Sequence, residues 1–198
     1  MAYASPNITM DQWTSGQKTD IDIFEDQLQG WLFDQARHLT VGAKSQHAGP
    51  AILALLCPYF EVFRSYQTGV PSEKKSVMFL KQALQAVFPD LSLDVIKAFA
   101  EEVRHGFAHE AVFRKVIIHH GIQGVPGLGK TAEGLLAVDP WWLLGKVEQH
   151  FHEYVADLRR GDPEKLDDFK AFMTFRMSGK VDTRKLKALM DLEKKAKK

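Results

Sequence analysis

The helical spacing of apolar residues between positions 95 and 113 places the strongest constraint on what this chain can fold into. Apolar side chains three or four residues apart form one stripe on a helix, and such a stripe is stable only when it packs on a core. The stripe consists of Val95, Ile96, Phe99, Ala100, Val103 and Phe107. We therefore predict a buried helix over residues 95–113, with other helices packed around it.

The same spacing predicts helices along most of the remaining chain. These helices cover residues 21–39, 50–66, 72–88, 141–158, 163–175 and 182–197. The helix over residues 50–66 is apolar on both sides and should be central, with a kink at Pro58, because proline lacks the N–H group of a regular helix. Asp139 is the expected cap of the helix that starts at Pro140.

The pattern changes between residues 113 and 139. The β-branched run at residues 116–118 and the apolar segment at residues 134–139 indicate two short strands, joined by a glycine-rich loop as a small hairpin. The predicted fold class is all-α, a helical bundle with a small β-hairpin insertion and two extra C-terminal helices. We expect a flexible N-terminal arm over residues 1–19, a helical domain over residues 20–160, and a C-terminal helical extension with a basic tail over residues 161–198.

Charge and composition bound the function. The net charge is +1, but residues 180–198 carry an excess of five positive charges, which leaves about −4 on the rest of the chain. Cys57 is the only cysteine, so an internal disulfide is excluded and a buried thiol is expected. The longest apolar run, residues 51–57, is too short to span a membrane, and no signal peptide is visible. We expect a cytoplasmic protein with no membrane partner.

Arg104 and His109 close the helix of residues 95–113 and have the chemistry of a phosphate site. Arginine carries a permanent charge on a planar fork of donors, and histidine exchanges protons near neutral pH. Such a pair can cleave a phosphodiester, with histidine moving the proton of a 2′-hydroxyl and arginine stabilising charge on the phosphate. Cations in the last turn of a helix also interact with the helix dipole, so a purely structural role stays open.

Geometry decides whether Arg104 and His109 can act together. Five positions along an ideal helix rotate by about 140°, so the two side chains would diverge. Gly106 allows the helix to end or bend, and a symmetric dimer would bring each residue against its copy across a two-fold axis. Glu61 lies in the apolar helix of residues 50–66. A carboxylate there pairs with some neighbour, and one interpretation is that Glu61 orients Arg104.

Two other signals are weaker. Residues 124–131 read GVPGLGKT and match the phosphate-binding loop of NTPases, but that loop needs a strand before it and a helix after it. Only seven residues separate the match from Asp139, and Gly134 interrupts them, so we predict a hairpin loop rather than a nucleotide site. His105 and His109 lie one turn apart but lack the glutamate of the zinc-protease motif. We expect no metal and no cofactor.

The order of these elements resembles the HEPN-domain family (higher eukaryotes and prokaryotes nucleotide-binding). A helix like that of residues 52–66 is followed by a loop and by a helix that carries phenylalanine. A further helix ends in an arginine, a polar residue and, a few residues later, a histidine, here Arg104, His105 and His109. A short hairpin and a long helix over residues 141–158 follow. The resemblance covers roughly residues 48–158.

The resemblance implies a HEPN-like helical bundle that is frequently a homodimer, with two such motifs facing each other. Many members are metal-independent ribonucleases, often toxins of toxin–antitoxin, abortive-infection or CRISPR-linked systems, while other members do not cleave RNA. On this analogy His109 would transfer the proton, Arg104 would bind the phosphate, and His105 would tune both.

Two function hypotheses follow from the residues and the resemblance together. The first is a metal-independent endoribonuclease of a toxin or defence system, with RNA as its substrate and an antitoxin or a neighbouring defence protein as its partner. The alternative is a non-catalytic HEPN-like dimeric interaction module, in which Arg104 and His109 only close a helix.

Overall fold

The computed structural model describes residues 2–42, 45–107, 113, 115–121 and 127–196, and within them the fold is mostly helical with one small sheet. The α-helices are α1 (Met10–Thr14), α2 (Asp20–Leu28), α3 (Asp34–His38), α4 (Gly49–Thr68), α5 (Ser76–Val87), α6 (Leu93–Ala98), α7 (Pro140–Arg160), α8 (Pro163–Ser178) and α9 (Thr183–Ala196). Two π-helical segments, Gln29–Phe33 and Phe99–Phe107, follow α2 and α6 directly. The strands are β1 (Val116–Ile118), β2 (Leu128–Lys130) and β3 (Leu136–Val138).

Helix α4 is the centre of the bundle, as its two-sided apolar pattern predicts. It packs against α5 on one side and against α7 and α8 on the other. Side chains from successive turns are fully buried, including Ile52, Leu56, Phe60 and Phe63. The helix continues through Pro58 and ends at Gly69, whose φ of +66° is a left-handed conformation that glycine adopts without strain.

Helix α7 confirms the predicted capping. The Asp139 side chain accepts hydrogen bonds from the backbone N–H groups of Trp141 at 3.0 Å and Trp142 at 3.1 Å. Pro140 occupies the first turn, where its missing N–H leaves no bond unmade. The helix ends at Gly161 with φ +84°. Sequence-local rules therefore define both ends of α7, and its buried face joins the same aromatic core as α4.

The N-terminal segment differs from the arm that the sequence predicts. It contains α1, and Ala4 is buried against α2, where its carbonyl accepts a hydrogen bond from Gln27 Nε2 at 2.6 Å. Trp13 Nε1 donates to Asp20 at 2.8 Å. Ile8 and Trp13 pack in the same small cluster, but the apolar residues of this segment do not recur at a regular helical or strand spacing that would mark it as packed.

The β-region corrects the predicted hairpin. The two predicted strands both exist, but they are parallel neighbours, with Val116 opposite Leu136. The antiparallel hairpin is formed by β2 and β3, with Leu128 opposite Val138, so the sheet order is β1-β3-β2. Strand β2 has the sequence Leu-Gly-Lys and lies in the glycine-rich segment. These residues have low β-propensity, so the sequence does not predict this strand.

The helix predicted over residues 95–113 is also corrected in form. It begins as α6 and becomes π-helical at Phe99, so its turns are wider than those of an α-helix. Val95, Phe99 and Val103 are buried, as the stripe predicts. Residues 108–112 and 114, together with the side chain of Phe107, lie outside the described part of the chain.

The C-terminal extension contains α8 and α9, where the two extra helices were predicted. Phe169 and Met173 of α8 are buried in the main core. Helix α9 packs through Leu189 against Val70 and Phe79. None of the helices in the described residues is long and apolar enough to cross a bilayer.

Candidate functional site

Arg104 is held on the second π-helical segment by two side chains from other helices. Its Nε donates to Oε1 of Glu61 in α4 at 2.6 Å, and its Nη2 donates to Oγ of Ser76 at the start of α5 at 3.0 Å. The side chains of Arg104 and Glu61 keep 20% and 18% of their accessible surface. The interpretation that Glu61 orients Arg104 therefore has a direct contact behind it.

The surroundings of Glu61 explain why its carboxylate needs a cationic partner. Glu61 lies in the central helix, directly after the buried Phe60 and one turn after the buried Cys57. Burial, and then the nearby Glu61 carboxylate, raise the pKa of the Cys57 thiol to about 12. Cys57 is therefore a protonated, buried thiol at neutral pH, as expected from its apolar neighbours, and it supplies no nucleophile to the site.

Ser76 is the member of this cluster that sequence reasoning missed. The sequence predicts that Ser72 caps the third helix, whereas the structure places a 3₁₀ turn over Glu73–Lys75 and starts α5 at Ser76. The hydroxyl of Ser76 then lies within hydrogen-bond distance of Arg104, 28 residues later in the chain. No spacing rule signals such a contact, because it depends on how α5 packs beside the π-helical segment.

The predicted partners of Arg104 are described only in part. His105 follows it directly and its side chain is exposed. His109 lies outside the residues that the structure describes. The approach of its imidazole to Arg104, within one protomer or across a dimer, therefore stays a prediction.

The described geometry of Arg104 suits a pre-positioned anion contact. A guanidinium has five N–H donors, and the bonds to Glu61 and Ser76 use two of them. Because both partners come from packed helices, the plane of the guanidinium is held in one orientation. The Glu61 carboxylate also cancels much of its charge at a distance, so an anion has to bind at short range through hydrogen bonds.

A second polar cluster lies at the end of β1, in a cleft of about 320 Å³. His120 Nδ1 is 3.5 Å from Oδ2 of Asp139, and its ring lies 4.9 Å from that of Trp141. His119 lines the same cleft, and neither of its ring nitrogens has a hydrogen-bond partner among the described residues. Burial lowers the pKa of His119 and has a larger effect than the charges of Asp139 and His120.

His150 lies away from both clusters and packs against aromatic side chains. Its Nδ1 lies 3.0 Å from the hydroxyl of Tyr59, and its ring packs 4.5 Å from that of Phe63. His150 is thus part of the aromatic interior. Within the described residues, no three histidine, cysteine or acidic side chains converge as a metal site would require.

The NTPase-like string does not form a phosphate loop in the part that the structure describes. Gly129 and Lys130 lie in β2, paired with β3, and the backbone N–H of Thr131 donates to the carbonyl of Leu135 in the turn between these strands. A strand and a turn therefore follow where a phosphate loop would start a helix. Residues 122–126 lie outside the described chain. Residues 128–130 form strand β2 and are followed by a turn, so this part of the segment is not the loop that the sequence predicts.

Comparisons of the chain with protein-family models, with curated proteins and with solved structures find no match. The structural basis of the candidate site is the pair of contacts that Arg104 makes with Glu61 and Ser76.

Proposed function

We propose that this protein is a metal-independent endoribonuclease of the HEPN type that acts through Arg104 and His109, as a toxin or a defence-system component. The observation that carries the proposal is the fixed guanidinium of Arg104, which Glu61 and Ser76 hold, five residues before the predicted proton-transfer residue in the sequence. A mobile surface arginine would bind phosphate only after losing side-chain entropy, whereas this one is already ordered.

The reaction needs only groups that this chain supplies. His109 removes the proton from a ribose 2′-hydroxyl, and the resulting oxygen attacks the adjacent phosphorus. Arg104 donates hydrogen bonds to the non-bridging oxygens as negative charge develops on them. The bond to the 5′-oxygen breaks, and that oxygen takes up a proton. The products are a 2′,3′-cyclic phosphate and a 5′-hydroxyl, and the substrate is RNA because DNA lacks the attacking hydroxyl.

A homodimer is part of this proposal. The return of a proton to the leaving oxygen requires an acid on the other side of the phosphate, and a two-fold axis would bring the partner's copy of the motif there. His105, which is exposed next to Arg104, is proposed as the polar neighbour that tunes the pair. An antitoxin or a neighbouring defence protein is the proposed partner in the cell.

Cleavage of a labelled RNA in excess EDTA tests the proposal. We expect wild-type activity in EDTA and a loss of about 10²- to 10⁴-fold in His109→Ala, the range for removing a general acid or base. Arg104→Ala should be similarly impaired. The matched control is Arg64→Ala, since Arg64 is a partly buried arginine of α4 whose guanidinium bonds to the neutral side chains of Gln82 at 3.0 Å and Gln67 at 3.3 Å.

Three results would reject the nuclease proposal. They are equal cleavage by the wild type and His109→Ala, an absolute requirement for a divalent metal, and equally fast cleavage of DNA. Thermal melting of each variant separates loss of chemistry from loss of folding. Growth arrest on expression, abolished by His109→Ala, would test the toxin assignment separately.

The second candidate is a non-catalytic dimeric interaction module, and a specific contact favours it. Arg104 already pairs with a carboxylate, which is the arrangement of a structural arginine that joins three helical segments. On this alternative, light scattering would show a dimer, and no RNA would be cleaved. Arg104→Ala would then lower thermal stability without changing any nuclease background.

A further inference from the structure

An apolar groove of about 350 Å³ runs along the face of α4 that carries Pro58, Val62 and Tyr66. The first π-helical segment, α4 and α8 form its walls, through Trp31, Leu32, Pro58, Val62 and Phe172 among others. Trp31 is 55% exposed and Val62 is 37% exposed, so large apolar side chains meet solvent here. Contact between water and such a surface is unfavourable, and an apolar ligand that covered it would gain free energy by removing that surface from water.

Two irregularities in the helices line the groove. The segment Gln29–Phe33 forms a π-helical turn, a feature that is rare in proteins and occurs frequently at functional sites. Pro58 interrupts the hydrogen bonding of α4 on the facing wall. The π-helical turn is braced from behind, because a Cβ on Gly30 would lie 2.6 Å from Pro6 Cγ. The groove is therefore part of the packed structure.

Arg176 of α8 supplies a positive charge to this groove. Its Nη1 donates to Oε1 of Gln27 at 3.0 Å and to the hydroxyl of Tyr66. Both acceptors are neutral, and no carboxylate of the described residues forms an ion pair with Arg176. Arg104 and Arg159, by contrast, each pair with glutamate. The charge of Arg176 is thus unmatched beside an apolar wall.

We propose that this groove binds a small amphipathic carboxylate, with its apolar chain or ring against Trp31 and Val62 and its carboxylate on Arg176. A guanidinium binds a carboxylate through paired, charge-assisted hydrogen bonds, which neutral acceptors do not match. The volume lies at the lower end of the range for small-molecule pockets, about 300–1,000 Å³.

Isothermal titration with decanoate, well below its micelle concentration, tests the proposal on the full chain. Decanamide is the neutral ligand control and decyltrimethylammonium is the cationic one. We expect saturable binding in the order decanoate, decanamide, decyltrimethylammonium, with quenching or enhancement of Trp31 fluorescence that is absent in Trp31→Phe.

Variants identify the groups involved. Arg176→Gln should weaken decanoate binding at least tenfold and leave decanamide binding unchanged, while Arg176→Lys should retain most of the preference for decanoate. Lys170→Gln removes an exposed cation of the same helix and should change neither affinity. Val62→Gln should weaken both ligands, because it places an amide on the apolar wall.

Several results would overturn the proposal. They are no saturable decanoate binding to a folded wild type, equal decanoate affinity in Arg176→Gln and the wild type, or binding of decyltrimethylammonium as tight as that of decanoate. Light scattering adds another. If the wild type is a dimer that Val62→Gln converts to a monomer, a second copy of this chain covers the groove, and the ligand assignment is wrong.

Discussion

Neutralising the Glu61–Arg104 pair offers a quantitative test of how firmly the candidate site is built. The perturbations are Glu61→Gln, Arg104→Gln and the double variant. Each single change removes one charge, and Glu61→Gln also keeps the size of the side chain. About four fifths of each side chain is withdrawn from solvent, and the two groups share a 2.6 Å hydrogen bond. The pair therefore lies between a surface ion pair and a fully buried one.

Those two limits set the expected magnitude. Exposed pairs contribute about 0–1 kcal/mol, and breaking a fully buried pair costs about 3–5 kcal/mol. A hydrogen bond to a charged group contributes about 1.5–3 kcal/mol. We expect Glu61→Gln to lower the free energy of unfolding by about 2 kcal/mol, and Arg104→Gln by about 3 kcal/mol, because the latter also loses the bond to Ser76. The coupling energy of the cycle should be about 1.5 kcal/mol.

Urea unfolding of the four proteins measures these quantities, provided that the m-values agree. The matched control is the cycle of Arg64 and Gln82, whose 3.0 Å contact joins α4 to α5 through a neutral acceptor. Its coupling should be about 0.5–1 kcal/mol. In 1 M salt the Glu61–Arg104 coupling should persist in large part, because partly buried pairs are screened little. A coupling below about 0.5 kcal/mol would refute the claim that Glu61 holds Arg104.

Three further predictions concern the frame around the site. Burial lowers the pKa of His150 and has a larger effect than the neighbouring charges. Below pH about 6.5 the unfolded chain therefore binds more protons than the folded protein, and the free energy of unfolding falls as the pH drops. His150→Gln, which keeps a partner for Tyr59, should flatten the decline between pH 7.5 and 5.5 in urea titrations, and an unchanged slope would contradict it. Gly127→Ala should lower stability by about 1–3 kcal/mol, since its Cβ would lie 2.0 Å from the rigid ring of Trp142; a melting temperature equal to the wild type would contradict this. Asp139→Ala removes the N-cap of α7 and should cost about 1–2 kcal/mol by the same urea assay, with Asp139→Asn losing less.

Local rules were sufficient where the signal lies within one element. The bounds of α4 and α7 follow from apolar periodicity together with Asp139, Pro140 and a glycine at each C-terminus. These determinants act within about four residues of the helix ends, so the sequence displays them directly. The buried stripe of residues 95–103 was equally visible, although its π-helical turns were not.

Pairing over long distances in the chain was not predictable in the same way. The sequence shows that residues 116–118 and 136–138 are strand-like, but it does not show that they pair in parallel while β2 takes the antiparallel edge. Strand β2 forms because β3 offers it hydrogen bonds, and its own residues contribute little propensity. The bond from Arg104 to Ser76 belongs to the same class, since it exists only once α5 is packed.

Glu61 was predictable for a reason that also limits what its ion pair means. A carboxylate in an apolar helix requires a cation, and Arg104 was the candidate placed near the end of the helix that packs on α4. That requirement holds whether or not the protein cleaves RNA, so the pair alone cannot separate an enzyme from an interaction module. A comparison of Arg104 with Arg176 makes the physical difference clear. An anion at Arg176 would meet a guanidinium that bonds to the neutral Gln27 and Tyr66, whereas a phosphate at Arg104 shares the guanidinium with Glu61. Arg104 is therefore suited to charge that appears transiently at short range, and a nuclease role requires the proton transfer at His109 to create that charge there.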